Sequence, residues 1–287
     1  MRRRARTNVH HSCAGGRVAR SLSAIRLADA LRTSALGVRD MRIMLVIVTL
    51  AIVLPWHIKP AVQQEAIPFV GCPADVQGED VPPPQGKPKV VALDAPTARQ
   101  IAYYQAGDNA GVFAPRRWHC RAWAGSTGGS IVVSSASLDS ASLEGRVRSH
   151  AVEMHFLDGG TSGRFPLAKY ASRLFPKMAA AFIERVKSES IAPPSDFERG
   201  PYTTDSVRYL DTFVAEFATP ANTIGLGTEG DLAPSQDPIR GVVVMSDAYT
   251  TEPGMSIIRV RLGPSMGRVA SAILRLNTEC MRKSGSC

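Results

Sequence analysis

Residues 117–135 read RWHCRAWAGSTGGSIVVSS. Two runs of aromatic and β-branched residues flank the glycine loop GSTGG, which is the pattern of a paired strand, loop and strand. Side chains alternate along a strand, so Trp118, Cys120 and Ala122 fall on one side and His119, Arg121 and Trp123 on the other. The first side suits a tryptophan packed beside a disulfide. The second presents an imidazole, a guanidinium and an indole together. Such a set can hold an anionic or sugar-like ligand by charge-assisted hydrogen bonds and stacking. These three residues are the candidate ligand face. The plainer alternative is an arginine stacked on a tryptophan at the surface.

Outward from this pair, RVRSHAVEMHFL (146–157) reads as a longer strand closed by Asp158-Gly159-Gly160. On that strand His150 would share a side with Val152, Met154 and Phe156, as a core histidine. His155 would share the solvated side with Glu153. Upstream, VVAL (90–93) is a short strand, and Asp94 caps a helix from Pro96 to Ala106. Downstream, Pro166 to Ser188 is helical and split at Pro176. Strands follow at 206–218, 240–246 and 255–262. The last helix runs from Ser265, as N-cap, to Met281, with Val269, Ile273 and Leu276 on one stripe. Strands in groups, with helices at only three places, predict an α+β domain over 90–287. Its sheet is expected to be largely antiparallel, with the helices packed on one face. Residues 62–89 contain Pro68, Pro73, Pro82, Pro83, Pro84 and Pro88, the composition of an extended, polyproline-like lead-in.

The N-terminal region is of a different kind. MRIMLVIVTLAIVLPWHIKPA (41–61) has an apolar run of twelve residues, Ile43 to Leu54. That run spans about 18 Å as a helix, short of a hydrocarbon core of ~30 Å. Its proportions are those of a signal peptide, with cleavage after Ala61 or Ala66; the alternative is an uncleaved single-pass inner-membrane anchor. Residues 1–40 form an arginine-rich extension, expected to lie upstream of a true start at Met41. Residues 1–61 carry ten arginines and Lys59 against Asp29 and Asp40, so they hold the whole net charge of +9. The rest of the chain is balanced, and that argues against a nucleic-acid partner.

Beyond Cys13, four cysteines remain: Cys72, Cys120, Cys280 and Cys287. Four allow three pairings; the expected ones are Cys72–Cys120 and Cys280–Cys287. In an exported chain these are disulfides rather than metal ligands. There is no C-x-x-C.

Other motifs carry little. Gly225-Leu226-Gly227-Thr228-Glu229-Gly230 matches G-x-G-x-x-G, but TPANT before it and DLAPSQDP after it supply neither the strand nor the helix of a dinucleotide site. Ser126 in AGSTGG is not in a nucleophile elbow. No cofactor and no metal site is expected. PRRWHC (115–120), GGTSGRFPLA (159–168) and TPANTIGLGT (219–228) resemble stretches of an uncharacterised family of exported bacterial proteins. That resemblance covers most of 68–262 and implies export and a single domain, with no activity attached. The expected function is therefore a non-catalytic binding or accessory role in the envelope, toward a small molecule or an envelope protein, with the membrane a partner only if the leader stays uncleaved. The alternative is a hydrolase built around His119.

Overall fold

The computed structural model describes residues 63–107, 111–138 and 146–284. The basic extension, the leader and Cys287 lie outside them, and with Cys287 the expected Cys280–Cys287 pairing. Among the described residues no helix is long and apolar enough to cross a membrane.

The chain begins with β1 (Gln63–Ile67), β2 (Phe69–Gly71), β3 (Ala74–Val76), β4 (Glu79–Val81) and β5 (Lys89–Leu93). A single turn, α1 (Ala95–Ala98), leads to β6 (Ile101–Gln105) and β7 (Val112–Pro115). Then come β8 (His119–Gly125), β9 (Gly128–Ser134) and β10 (Ala151–Asp158), followed by helices α2 (Arg164–Leu174) and α3 (Ala180–Ser188). The chain continues through β11 (Ser206–Asp211), β12 (Val214–Thr219), β13 (Ile239–Ser246), β14 (Gly254–Arg261) and α4 (Gly267–Ser284).

Nine strands form the main sheet, in the order β11-β12-β13-β14-β10-β9-β8-β3-β4. Every pairing in it is antiparallel except β3 with β8. The fold is thus α+β with a large, mostly antiparallel sheet, as the grouping of strands predicts. A small sheet, β2-β6-β7, and the antiparallel pair β1-β5 complete it.

The helices divide between the two faces instead of covering one. Val242 and Val244 belong to the apolar cluster that holds Val269, Ile273 and Leu276 of α4. Val243 and Met245, the residues between and after them, belong to the cluster that holds Leu167, Leu174, Phe182 and Val186 of α2 and α3. The run VVVM is apolar at consecutive positions, so both of its sides need cover. Helix α4 is further fixed by Asn277, fully buried. Its Oδ1 accepts the Phe113 N–H at 2.9 Å and its Nδ2 donates to the Phe113 carbonyl at 3.0 Å, giving that part of β7 the partner a neighbouring strand would otherwise provide.

The proline-rich stretch is not a lead-in. Residues 63–81 hold four strands, each paired with another strand, and Ile67 and Cys72 are fully buried. Its few apolar residues suffice because pairing uses the backbone, with prolines confined to the gaps between strands. The helix expected over 96–106 stops after one turn. Asp94 caps it as foreseen, accepting the Thr97 N–H at 3.1 Å. The next segment, IAYYQ, is taken between β2 and β7, and its aromatic and β-branched side chains suit that pairing. Ser265 sits within a 3-10 turn, Pro264–Met266, and α4 starts only at Gly267.

Cys72 and Cys120 form a disulfide across 48 residues, with Cα atoms 5.5 Å apart. It ties the β2–β3 junction to β8. Closing a loop of that length stabilises by about 4 kcal/mol in the chain-entropy account. The bond also points to a non-cytoplasmic location.

Candidate ligand cleft

The alternation on β8 is as predicted: Cys120 and Ala122 join the core below α4, and His119, Arg121 and Trp123 face the other way. The three do not form one ligand face, however. His119 is exposed, and its ring has no hydrogen-bond partner among the described residues. Arg121 reaches sideways to Asp80 on the edge strand β4, Nη2 to Oδ1 3.0 Å. Trp123 is half-buried against a small cluster containing Val132, Ala151, Leu232 and Ile239.

The dense chemistry lies further along this side of the sheet. Glu153 and Arg259 are both fully buried and paired, Oε1 to Nη1 2.7 Å. Arg259 also donates to the Tyr170 hydroxyl at 2.5 Å and to the Leu226 carbonyl at 3.0 Å. Burial raises the Tyr170 phenol above its ordinary range. Glu153, expected on a solvated side, is therefore the acid of a buried ion pair, and the histidine readings change with it. His155 stands across from Ser130, whose hydroxyl donates to Asp231 at 3.0 Å. Among the described residues the Nδ1 of His155 has no hydrogen-bond partner, and burial first, then Arg259, pushes its pKa down to about 4, with Asp231 opposing. Burial and the nearby Glu153 raise the Asp231 carboxyl. His150, expected in the core, precedes the strand and is only half-buried; its Nε2 lies 3.0 Å from Asp237 Oδ2.

The loop carrying the glycine motif is held by these charges. Apart from one 3-10 turn, Leu226–Thr228, residues 220–238 have no regular structure, so their backbone groups need partners elsewhere. Arg146 donates to the Thr228, Gly230 and Leu232 carbonyls. Arg261 donates to Ala233, Val147 and Ser149 carbonyls. Asp205 accepts the Leu226 N–H at 2.8 Å, and Glu153 accepts the Asp231 N–H at 3.2 Å. The glycines follow from this crowding: a Cβ on Gly225 would lie 2.2 Å from Asp205 Oδ1, and one on Gly230 2.0 Å from Glu153 Oε1. They admit carboxylates of the chain itself, not a pyrophosphate.

Where this loop meets the start of β10 lies a cleft of about 500 Å³, lined by Arg148, His150, Ser135, Asn222, Gln236 and Asp237, among others. Its size falls within the roughly 300–1,000 Å³ of small-molecule sites. Among the described residues, the side chains of Arg148, Ser135, Asn222 and Gln236 make no hydrogen bond or ion pair. Its carboxylate, Asp237, is engaged by His150. Next to the cleft, the guanidinium of Arg261 is buried and donates to the carbonyls of Ser149, a lining residue, and of Ala233 and Val147, its hydrogen-bond partners among the described residues. Burial lowers the Arg261 pKa to about 10, with Asp237 and Glu153 opposing and Arg148 adding to the lowering.

Sequence reasoning passed over this cleft because its residues come from three separated segments. The signal that could have found the buried pair beside it is IIRVRL (257–262), where two arginines interrupt a β-branched strand and so demand partners. Comparisons with family models, with curated proteins and with solved structures find no significant match.

Proposed function

We propose that this chain is an exported protein of the bacterial cell envelope that binds a small polar ligand without transforming it. The observation that carries the reading is the cleft at Arg148 and His150, where a guanidinium, two amides and a hydroxyl have no partner among the described residues while Asp237 and Ser149 beside them are paired. Uncommitted donors converging on one concavity are what a polar ligand requires. The Cys72–Cys120 disulfide favours the periplasm or the exterior over the cytoplasm. Binding is favoured over hydrolysis at His119, whose ring meets neither a carboxylate nor a hydroxyl within the described residues. A general base needs such a partner within reach.

Strand β1 begins at Gln63 and pairs with β5 through Ile67. Of the two candidate cleavage sites, Ala61 leaves that pairing whole and Ala66 cuts through it. This reading therefore places cleavage after Ala61, with Val62 as first residue.

The test joins both claims. Unreduced peptide mapping of protein from an envelope fraction should give Val62 as first residue and an intact Cys72–Cys120 bond. A thermal-shift screen of envelope metabolites against that material should then yield a ligand whose shift is lost in Arg148→Ala. A cytoplasmic, reduced protein, or a screen in which nothing raises Tm, removes the reading.

A further inference from the structure

The charges around the cleft decide what kind of ligand it takes, on the reading that it is a binding site at all. One cation lines it, Arg148, exposed at the rim, and a second, the buried Arg261, donates to the carbonyl of the lining residue Ser149. Against them stands Asp237, already held by His150 at 3.0 Å. Glu153, the nearest buried acid, is spent on Arg259. The carbonyls that solvate Arg261 neutralise no charge, so among the described residues a positive surplus remains at the cleft. The other uncommitted groups are the amides of Asn222 and Gln236 and the hydroxyl of Ser135. Both amides can donate and accept, which matches the hydroxyls of a polyol. A guanidinium takes a carboxylate or phosphate oxygen pair in a forked geometry.

We infer that the cleft binds a small hydroxylated anion, a sugar carboxylate or a sugar phosphate, with Arg148 taking the acidic group and Asn222, Gln236 and Ser135 the hydroxyls. The anion also lies in the field of Arg261, whose guanidinium is held behind the cleft by the Ser149 and Ala233 carbonyls. A neutral sugar of the same size gains the amide contacts alone. Charge attraction to Arg148 and to the buried Arg261 acts on an anion and not on a neutral sugar, so the acid group dominates the discrimination.

The experiment is isothermal titration of the oxidised protein with glucuronate, glucose 6-phosphate, glucose and inorganic phosphate. At least one of the two sugar anions should bind ten-fold or more tightly than both glucose and inorganic phosphate, and whichever binds more tightly assigns the acid group. Arg148→Ala should lose ten-fold or more for that anion. Gln236→Ala should weaken it by a smaller factor. Arg121→Ala, which removes a cation outside the cleft, should leave it unchanged. Glucose binding as tightly as the anions overturns the charge inference and leaves the cleft as a binding site. Equal losses in Arg148→Ala and Arg121→Ala place the anion on general surface charge and also overturn it. No binding by any of the four probes, in protein that still melts cooperatively, overturns this inference, while a neutral or cationic hit in the wider screen would keep the binding reading alive.

Discussion

On β14, Ile258 and Val260 point to the side covered by α4, whereas Ile257, Arg259 and Arg261 point to the other. Strand β10 repeats the split, with Val152 and Met154 toward α4 and Glu153 and His155 away from it. The α4 side is held by apolar burial, one disulfide and one buried amide. The other side is shared by α2 and α3, over an apolar cluster, and by residues 220–238, and its buried Glu153, Arg259 and Arg261 bond to that loop. A helix satisfies its own backbone and needs only an apolar stripe beneath it. Residues 220–238 are irregular, and their carbonyls need donors from the sheet. Arginine, with five N–H donors in a fixed fork, is the side chain best able to serve several carbonyls at once. The polar face thus exists to position a loop, and the cleft forms at the end of that loop.

The sharpest way to break this contrast is to remove one charge from the polar face. Glu153→Ala leaves Arg259 buried without its counter-charge, and losing one partner of such a pair costs about 3–5 kcal/mol. Ile258→Val, the adjacent truncation on the apolar face, should cost about 0.5–1.5 kcal/mol. Urea unfolding measures both. Equal costs would mean that the ion pair is no more demanding than ordinary packing. Next in size is the disulfide: Cys72→Ser should lower stability by about 2–4 kcal/mol. Wild-type protein in reductant should fall to the level of the variant. If reductant leaves the wild-type midpoint unmoved, the bond is not closed in the folded protein.

How far the sequence could be read follows the same division. Alternation in HCRAW predicted which residues of β8 share a side, whereas Cys72–Cys120 was one of three pairings that the cysteines allowed. Pro176 marked the break between α2 and α3. These are local rules, obeyed because nearby residues carry them. The pairing of β1 to β4 was hidden because a strand that pairs mainly through its backbone leaves little trace in side-chain pattern. IAYYQ was read as the rest of a helix because its cap at Asp94 was real. The cap was satisfied, but flanking strands claimed the residues after Arg99. Glu153 and His155 looked solvated, since their partners Arg259 and Asp231 lie 106 and 76 residues further on. Charge pairing at that separation has no periodicity to betray it.

His155 gives the smallest expected effect and the finest test of the polar face. Its ring faces Arg259 from β14, Asp231 from the loop and Ser130 from β9. Burial and Arg259 lower its folded pKa to about 4, below the roughly 6.5 of an unfolded chain. Between those values the unfolded state takes the proton and the folded state refuses it, so stability falls as pH drops from 6.5 toward 4. Asp231 works in the opposite sense. Its folded carboxyl titrates above its unfolded value, so in the lower part of the same window the folded state holds that proton and gains stability. The histidine slope should therefore be clearest just below pH 6.5 and flatten as Asp231 protonates. His155→Gln removes the first contribution and keeps a polar side chain of similar reach. Its urea midpoint should fall less than that of the wild type between pH 7 and pH 5. Parallel declines would show that His155 takes up its proton as readily in the folded chain as in the unfolded one, and that this part of the polar face is open to water.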